Sequence, residues 1–258
     1  GEGLQHQDGQ SHVLALPVPT LMCYDPAYAY ELAVIIRDGI RRMYEEQESV
    51  FYYLTVMNEN YPQPAMPASD MGDVKEGILK GLYRFRASGL GDAKLKAQLF
   101  GSGAIMNEVV KAQALLADKY GVAADVWSVT SYKELRREAL DIERWNLLNP
   151  GKKQKTPYVA RVLKDAPGVF VAASDYMKAL PDGISKWLPR HLHSLGTDGF
   201  GRSESRRALR DFFEVDYRYV ALAALSALAR EGELPWDRVK QAAKDLDINP
   251  DKPNPMHS

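Results

Sequence analysis

Apolar side chains at Tyr28, Leu32, Ile35, Ile36 and Met43 recur at helical spacing, so residues 26–46 are expected to form an amphipathic helix. Asp25-Pro26, just ahead of it, reads as an N-cap followed by proline at the first helical position. Thr20–Tyr24 is a short apolar run. Val50–Met57 has a different texture, because VFYYLTVM is β-branched or aromatic along most of its length and apolar on both faces. Such a segment suits a strand covered on both sides, as in a parallel sheet.

Asn58–Asp73 interrupts the pattern with Pro62, Pro64, Pro67 and Gly72 and marks the best domain boundary. Strand–helix alternation then resumes. Ala97–Phe100 passes through Gly101-Ser102-Gly103 into a helix with Ile105, Val109, Ala112 and Leu116 on one face, ending near Gly121. Asp125–Thr130 is the next strand, and Ser131-x-x-Glu134 is a capping box opening another helix. The runs Tyr158–Leu163, Val169–Ala173 and, shorter, Leu192–Leu195 continue the strands. Ser203 is expected to start a charged helix, Val215–Arg230 to form the most apolar one, and Pro235 to open a last helix ending near Asp247. The whole reads as α/β, mostly parallel, in two unequal parts.

Composition narrows the function. Thirty-three basic against thirty-four acidic side chains leave a net charge of −1, so no global field exists to hold nucleic acid or an anionic membrane. The longest apolar stretches, such as Tyr219–Ala229, fall well short of a membrane span. The single cysteine, Cys23, excludes an intramolecular disulfide framework and a multi-cysteine zinc site, and fits a reducing compartment such as the cytoplasm. The chain opens inside a glycine-rich polar loop, GEGLQHQDG, with no initiator Met or signal core, and is read as a piece of a longer protein.

Few short motifs carry chemistry. Gly101-Ser102-Gly103 invites a dinucleotide reading, but Met106 stands where the third glycine belongs, and tight strand-to-helix packing explains the glycines as well. His191 and His193 alternate along an expected strand and read as surface or strand-edge residues, without the spacing of a helical metal pair. Cys23 reads as a small buried hydrophobe. Gly196–Ser203 either binds an anion with Arg202 or is a turn with Ser203 as the following N-cap. The opening loop is the strongest candidate. Glu2 lies between glycines, His6, Asp8 and His12 follow, and a histidine there could shuttle protons near neutral pH; the alternative is a solvated loop.

Five longer motifs are more specific: GEGLQHQDGQSH, YDPAYAYELAVIIRDGIRRMYE, NENYPQPAMP, ERWN and LGTDGFGRSESR. In this order, across essentially the whole chain, they resemble the C-terminal part of the homodimeric bacterial pyruvate dehydrogenase decarboxylating component. The resemblance implies a thiamine-diphosphate enzyme of transketolase-like architecture. Residues 1–66 would end a pyrimidine-binding domain, and residues 67–258 would form a transketolase C-terminal-like domain, a mostly parallel sheet flanked by helices. The implied reaction is decarboxylation of pyruvate with reductive acetylation of a lipoyl group. The implied partners are a second copy of the subunit and the dihydrolipoyl acetyltransferase core with its lipoyl domains. Thiamine diphosphate and Mg²⁺ would be held mainly by segments upstream of Gly1.

His6 matches the histidine of the family's GEGLQH loop and is the catalytic residue the resemblance implies, hydrogen-bonding the substrate-derived oxygen. Glu2, Gln5 and Asp8 would shape the loop. Gln10 stands where the family carries histidine, so no role is expected of residue 10. The isolated chain is expected neither to bind the cofactor tightly nor to turn over pyruvate. The alternative is a non-catalytic assembly or dimerisation module of a transketolase-like or other 2-oxo-acid dehydrogenase.

Overall fold

Side chains alternate between the two faces of a strand, and the strands of the larger sheet are apolar on both. In the computed structural model, which describes residues 7–68 and 73–258, β4 (Leu95–Gly101), β5 (Val122–Ser128), β6 (Val169–Ala173) and β7 (Leu192–Leu195) run parallel. Strand β3 (Tyr83–Arg86) joins antiparallel at one edge, giving the order β3-β5-β4-β6-β7. Ala97, Leu99, Val126 and Val171 face α4 (Met106–Leu115), α9 (Tyr217–Arg230) and α10 (Trp236–Asp245). Phe100, Trp127 and Phe170 face α5 (Tyr132–Leu148) and α6 (Tyr158–Leu163). Burying each such side chain stabilises the layer by about 1.5–3 kcal/mol. The buried indole of Trp127 keeps a partner, donating to Gln98 Oε1 at 2.7 Å.

The first part of the chain contributes α1 (Ser11–Leu14), a two-stranded parallel sheet of β1 (Leu21–Tyr24) and β2 (Phe51–Leu54), and α2 (Ala29–Ile40), whose end widens over Arg41–Glu45. Helix α3 (Val74–Lys80) closes a third core of Met22, Tyr24, Ile35, Val74, Ile78 and Tyr83. Shorter helices α7 (Ala179–Asp182) and α8 (Arg206–Phe212) follow β6 and β7.

Several sequence expectations give way to tertiary contacts. Helix α2 begins at Ala29 rather than after Asp25; the Glu31 carboxylate takes the amides of Ala27 (2.5 Å) and Tyr28 (3.1 Å), and Asp25 is drawn into the interior. Val50–Met57 forms a strand only at Phe51–Leu54, with Phe51 half exposed and Val56 exposed, because a two-stranded sheet leaves one face uncovered within the described residues. Tyr158–Leu163 is a helix, not a strand. Its apolar run is too short for periodicity to decide, and Pro157 with a Glu138 carboxylate on the Tyr158 amide starts the turn. Ser205 rather than Ser203 caps α8, accepting the Ala208 amide. Ser131 does cap α5, taking the Glu134 amide at 3.0 Å, but the Glu134 side chain pairs with Arg137. Helix α3 and strand β3 carry no pattern strong enough to announce them.

Candidate functional site

Strands β4 and β6 lie side by side although β5 separates them in sequence, and the intervening helices cover opposite faces of the sheet. Loops leaving their carboxyl ends diverge there, which is where open α/β sheets bind ligands. In this chain the first part of the sequence packs into that edge. The backbone of Asp25 pairs with Thr130 and Gly103, the Ser131 hydroxyl donates to the Cys23 carbonyl, and the Lys133 ammonium donates to the carbonyls of Ala15 and Val18.

The opening loop meets the second glycine-rich loop. Gln10 Nε2 donates to the Gly199 carbonyl across 189 residues of sequence, and the Met177 amide donates to Gly9. A β-carbon on Gly201 would stand 2.0 Å from that of Gln7, so the loops approach only because residue 201 is glycine. Asp198 accepts the Lys178 amide at 3.0 Å. Gly196–Ser203 therefore packs against the opening loop, with Thr197, Asp198 and Arg202 bonded to the protein. Asp8 lies two residues ahead of the α1 N-cap, its Oδ1 accepting the amides of Gln10 (3.0 Å) and Ser11 (2.9 Å). Burial pushes the Asp8 carboxyl up, but those bonds and His12 hold it below its usual value. His6, Glu2 and Gln5 lie outside the described residues; Gln7 is the first one described.

A cleft of about 240 Å³ opens between these loops and α8. Arg210 donates to both carboxylate oxygens of Glu59 and lies 3.5 Å from Glu108. Arg206 donates to Asn58 Oδ1 at 2.5 Å. Asp175, just beyond β6, lines the same cleft, and burial raises its carboxyl to about 7 against the pull of Arg210, with Asp25, Glu59 and Glu108 adding to the rise. Glu59 lies within the NENYPQPAMP motif, though the motif gives no hint of its partner, whereas Asp175 and Arg210 belong to no local motif.

Behind the cleft lies a buried polar chain. Thr55 Oγ1 donates to Asp25 Oδ1 at 2.7 Å and is 2.9 Å from His12 Nε2, while His12 Nδ1 is 2.9 Å from Cys23 Sγ. Thr55 has one proton and gives it to Asp25, so Nε2–H of His12 donates to Thr55 and Nδ1 accepts from the Cys23 thiol. Burial pushes that thiol up to about 12, keeping it a donor. Burial also lowers His12 and raises Asp25, each countered by the other's charge. The Tyr176 ring meets His12 edge-on at 4.4 Å. His12 is thus an interior residue, not a member of a solvated proton-shuttling loop.

The glycine turn read as a weak cofactor motif is filled from within. The Asp25 carboxylate sits against Gly103 at the start of the turn leading into α4, where an anion would bind. His193 lies in the edge strand β7 and His191 just before it, their rings 4.6 Å apart. Among the described residues, no group of three or more His, Cys, Asp or Glu side chains converges as a metal seat, and no helix is long and apolar enough to cross a membrane.

Residues 81–216 match the transketolase-like C-terminal domain family. The chain belongs to that family. Residues 1–64 match the pyruvate dehydrogenase E1 component middle domain. The resemblance to bacterial pyruvate dehydrogenase E1 components holds over the whole chain. The Pseudomonas aeruginosa protein is 52% identical over 99% of this chain and 29% of its own length. The chain spans about 28–29% of the curated relatives it matches. A transketolase mutant from Pichia stipitis shares the fold at 18% identity with a TM-score of 0.62, covering 90% of this chain and 29% of that one. A split-gene transketolase described as an inactive beta4 tetramer matches at 15% identity with a TM-score of 0.53, covering 88% of this chain and 63% of that one. These folds bear out the α/β, mostly parallel, transketolase C-terminal-like reading.

Proposed function

We propose that the chain is the carboxyl-terminal segment of an acetyl-transferring pyruvate dehydrogenase subunit, which decarboxylates pyruvate on thiamine diphosphate and reductively acetylates a lipoyl group. The observation that carries this reading is the 52% identity to a pyruvate dehydrogenase E1 component along 99% of the chain. The boundary between the end of the pyrimidine-binding domain and the C-terminal domain is proposed at residues 66 and 67. Homodimerisation, docking of the dihydrolipoyl acetyltransferase core and a cytoplasmic location belong to the same reading.

Thiamine diphosphate and Mg²⁺ belong to this reading as the cofactors. The Asp25 carboxylate fills the Gly101–Gly103 turn, where a phosphate would otherwise approach. Both groups are assigned mainly to segments upstream of this chain, and the 258 residues alone are expected to show no pyruvate turnover. His6, one residue ahead of the cleft-lining Gln7, is proposed to hydrogen-bond the substrate-derived oxygen.

The test is 2-oxo-acid oxidation by the full-length parent with thiamine diphosphate, Mg²⁺ and an artificial electron acceptor. His6→Ala should lower turnover on the order of 10²-fold or more. Pyruvate activity indifferent to that change would return His6 to loop structure. A second reading, a non-catalytic assembly module, is favoured by the match to the split-gene transketolase chain named as an inactive beta4 tetramer. A parent with no activity on any 2-oxo acid would select it.

A further inference from the structure

Three arginines and three carboxyl groups line the cleft: Arg202, Arg206 and Arg210 against Asp8, Glu59 and Asp175. Their commitments differ. Glu59 holds Arg210 with two bonds, and Asp8 accepts two backbone amides. No hydrogen bond reaches the Asp175 carboxyl from the described residues. Its backbone is pinned, because its carbonyl accepts the Thr197 hydroxyl at 2.5 Å and the next two residues bond to Thr197 and Gly9. The backbone is therefore fixed at the cleft wall, and the half-buried side chain opens into the cleft.

We propose that Asp175 sets the net charge of this cleft and so its affinity for a small anionic carboxylate ligand. With Asp175 protonated the arginines outnumber the ionised carboxyls; with Asp175 ionised the two balance. Its surroundings favour the proton. Burial is the largest contribution and favours the proton; Arg210 on α8 opposes it, Asp25 after β1, Glu59 after β2 and Glu108 on α4 add to it, and the balance lies at about 7. The remaining nearby charges are spoken for: Lys178 pairs with Asp198 at 3.4 Å, Arg206 holds Asn58, Arg202 caps the Ser258 carbonyl, and His12 is buried behind Tyr176. The inference rests on reading the cleft as part of a 2-oxo-acid site, since pyruvate is such an anion.

The experiment follows KM and kcat for pyruvate against pH in the full-length parent with its cofactors. In the wild type KM should rise about three- to ten-fold as pH passes through 7, the size expected of one unit charge near a protein surface, without a matching change in kcat. Asp175→Asn should abolish that inflection. Glu59→Gln, which removes an adjacent negative charge, should move it to lower pH and serves if the first variant fails to fold. Identical KM profiles in wild type and Asp175→Asn, or an inflection unmoved by Glu59→Gln, would overturn the proposal. If the parent oxidises no 2-oxo acid, the functional reading fails separately. Calorimetric binding of pyruvate at pH 6 and pH 8 then decides, with weakening at high pH expected in the wild type only and equal weakening in both proteins counting against it.

Discussion

The carboxylate of Asp25 occupies the space that a β-carbon on Gly103 would need, with both oxygens 2.8 Å from that position. One residue comes from the end of β1, the other from the turn after β4, and their contact joins the two parts of the chain at the carboxyl edge of the larger sheet.

Gly103→Ala should therefore be costly. Residue 103 has φ +47, a left-handed conformation that disfavours a side chain, and the new methyl would strike Asp25. Strain and overpacking together predict a loss of about 2–4 kcal/mol. Gly121→Ala is the control, since φ is +66 there but nothing lies within 4 Å of the added carbon. Urea unfolding of the two variants should separate them, and equal losses would mean that the Asp25 contact contributes nothing.

Glu31 is buried and accepts four hydrogen bonds, from the amides of Ala27 and Tyr28 and the hydroxyls of Tyr83 and Ser128. Glu31→Ala would strand the amides of Ala27 and Tyr28 and the Ser128 hydroxyl, leaving Tyr83 only its Tyr30 partner, and a loss of about 3–5 kcal/mol is expected. Glu31→Gln keeps an acceptor oxygen and should lose less. The order of their denaturant midpoints checks this, and a milder alanine variant would refute it.

His12 gives the protein a sensitivity to acid. Burial holds its imidazole below the usual 6.5, so near that pH the unfolded chain binds a proton that the folded chain refuses. The stability it contributes is complete above 6.5 and is lost as pH falls below that value. Buried carboxyls such as Glu31 act in the opposite sense, so the comparison must be between variants. The melting temperature of the wild type should fall further between pH 7 and 5 than that of His12→Gln. Parallel curves would rule the effect out.

Cys23 should be inert in the folded protein. Its thiol is buried, donates to His12, and is pushed up to about 12, so almost no thiolate exists at neutral pH. A disulfide reagent at pH 8 should titrate no thiol until denaturant is added and one thereafter. Rapid labelling of the native state would contradict the geometry.

The sequence by itself determined the strand–helix alternation, the parallel strands buried on both faces and the family motifs, because each is written in the spacing of neighbouring residues. Val169–Ala173, apolar throughout and β-branched or aromatic in its first half, reads as an interior strand and is one, and the apolar stripe from Ile105 to Leu116 must face a core. Tertiary structure decided the fates of the polar residues. Asp25 looked like a helix cap and became an interior acceptor; His12 looked like a loop histidine and became part of a buried chain; Asp175 had no signature at all. Gln10 finds Gly199 across 189 residues. Hydrophobic burial repeats along a helix or strand and so leaves a local period, whereas a hydrogen bond between distant loops depends on two positions that only the finished fold brings together.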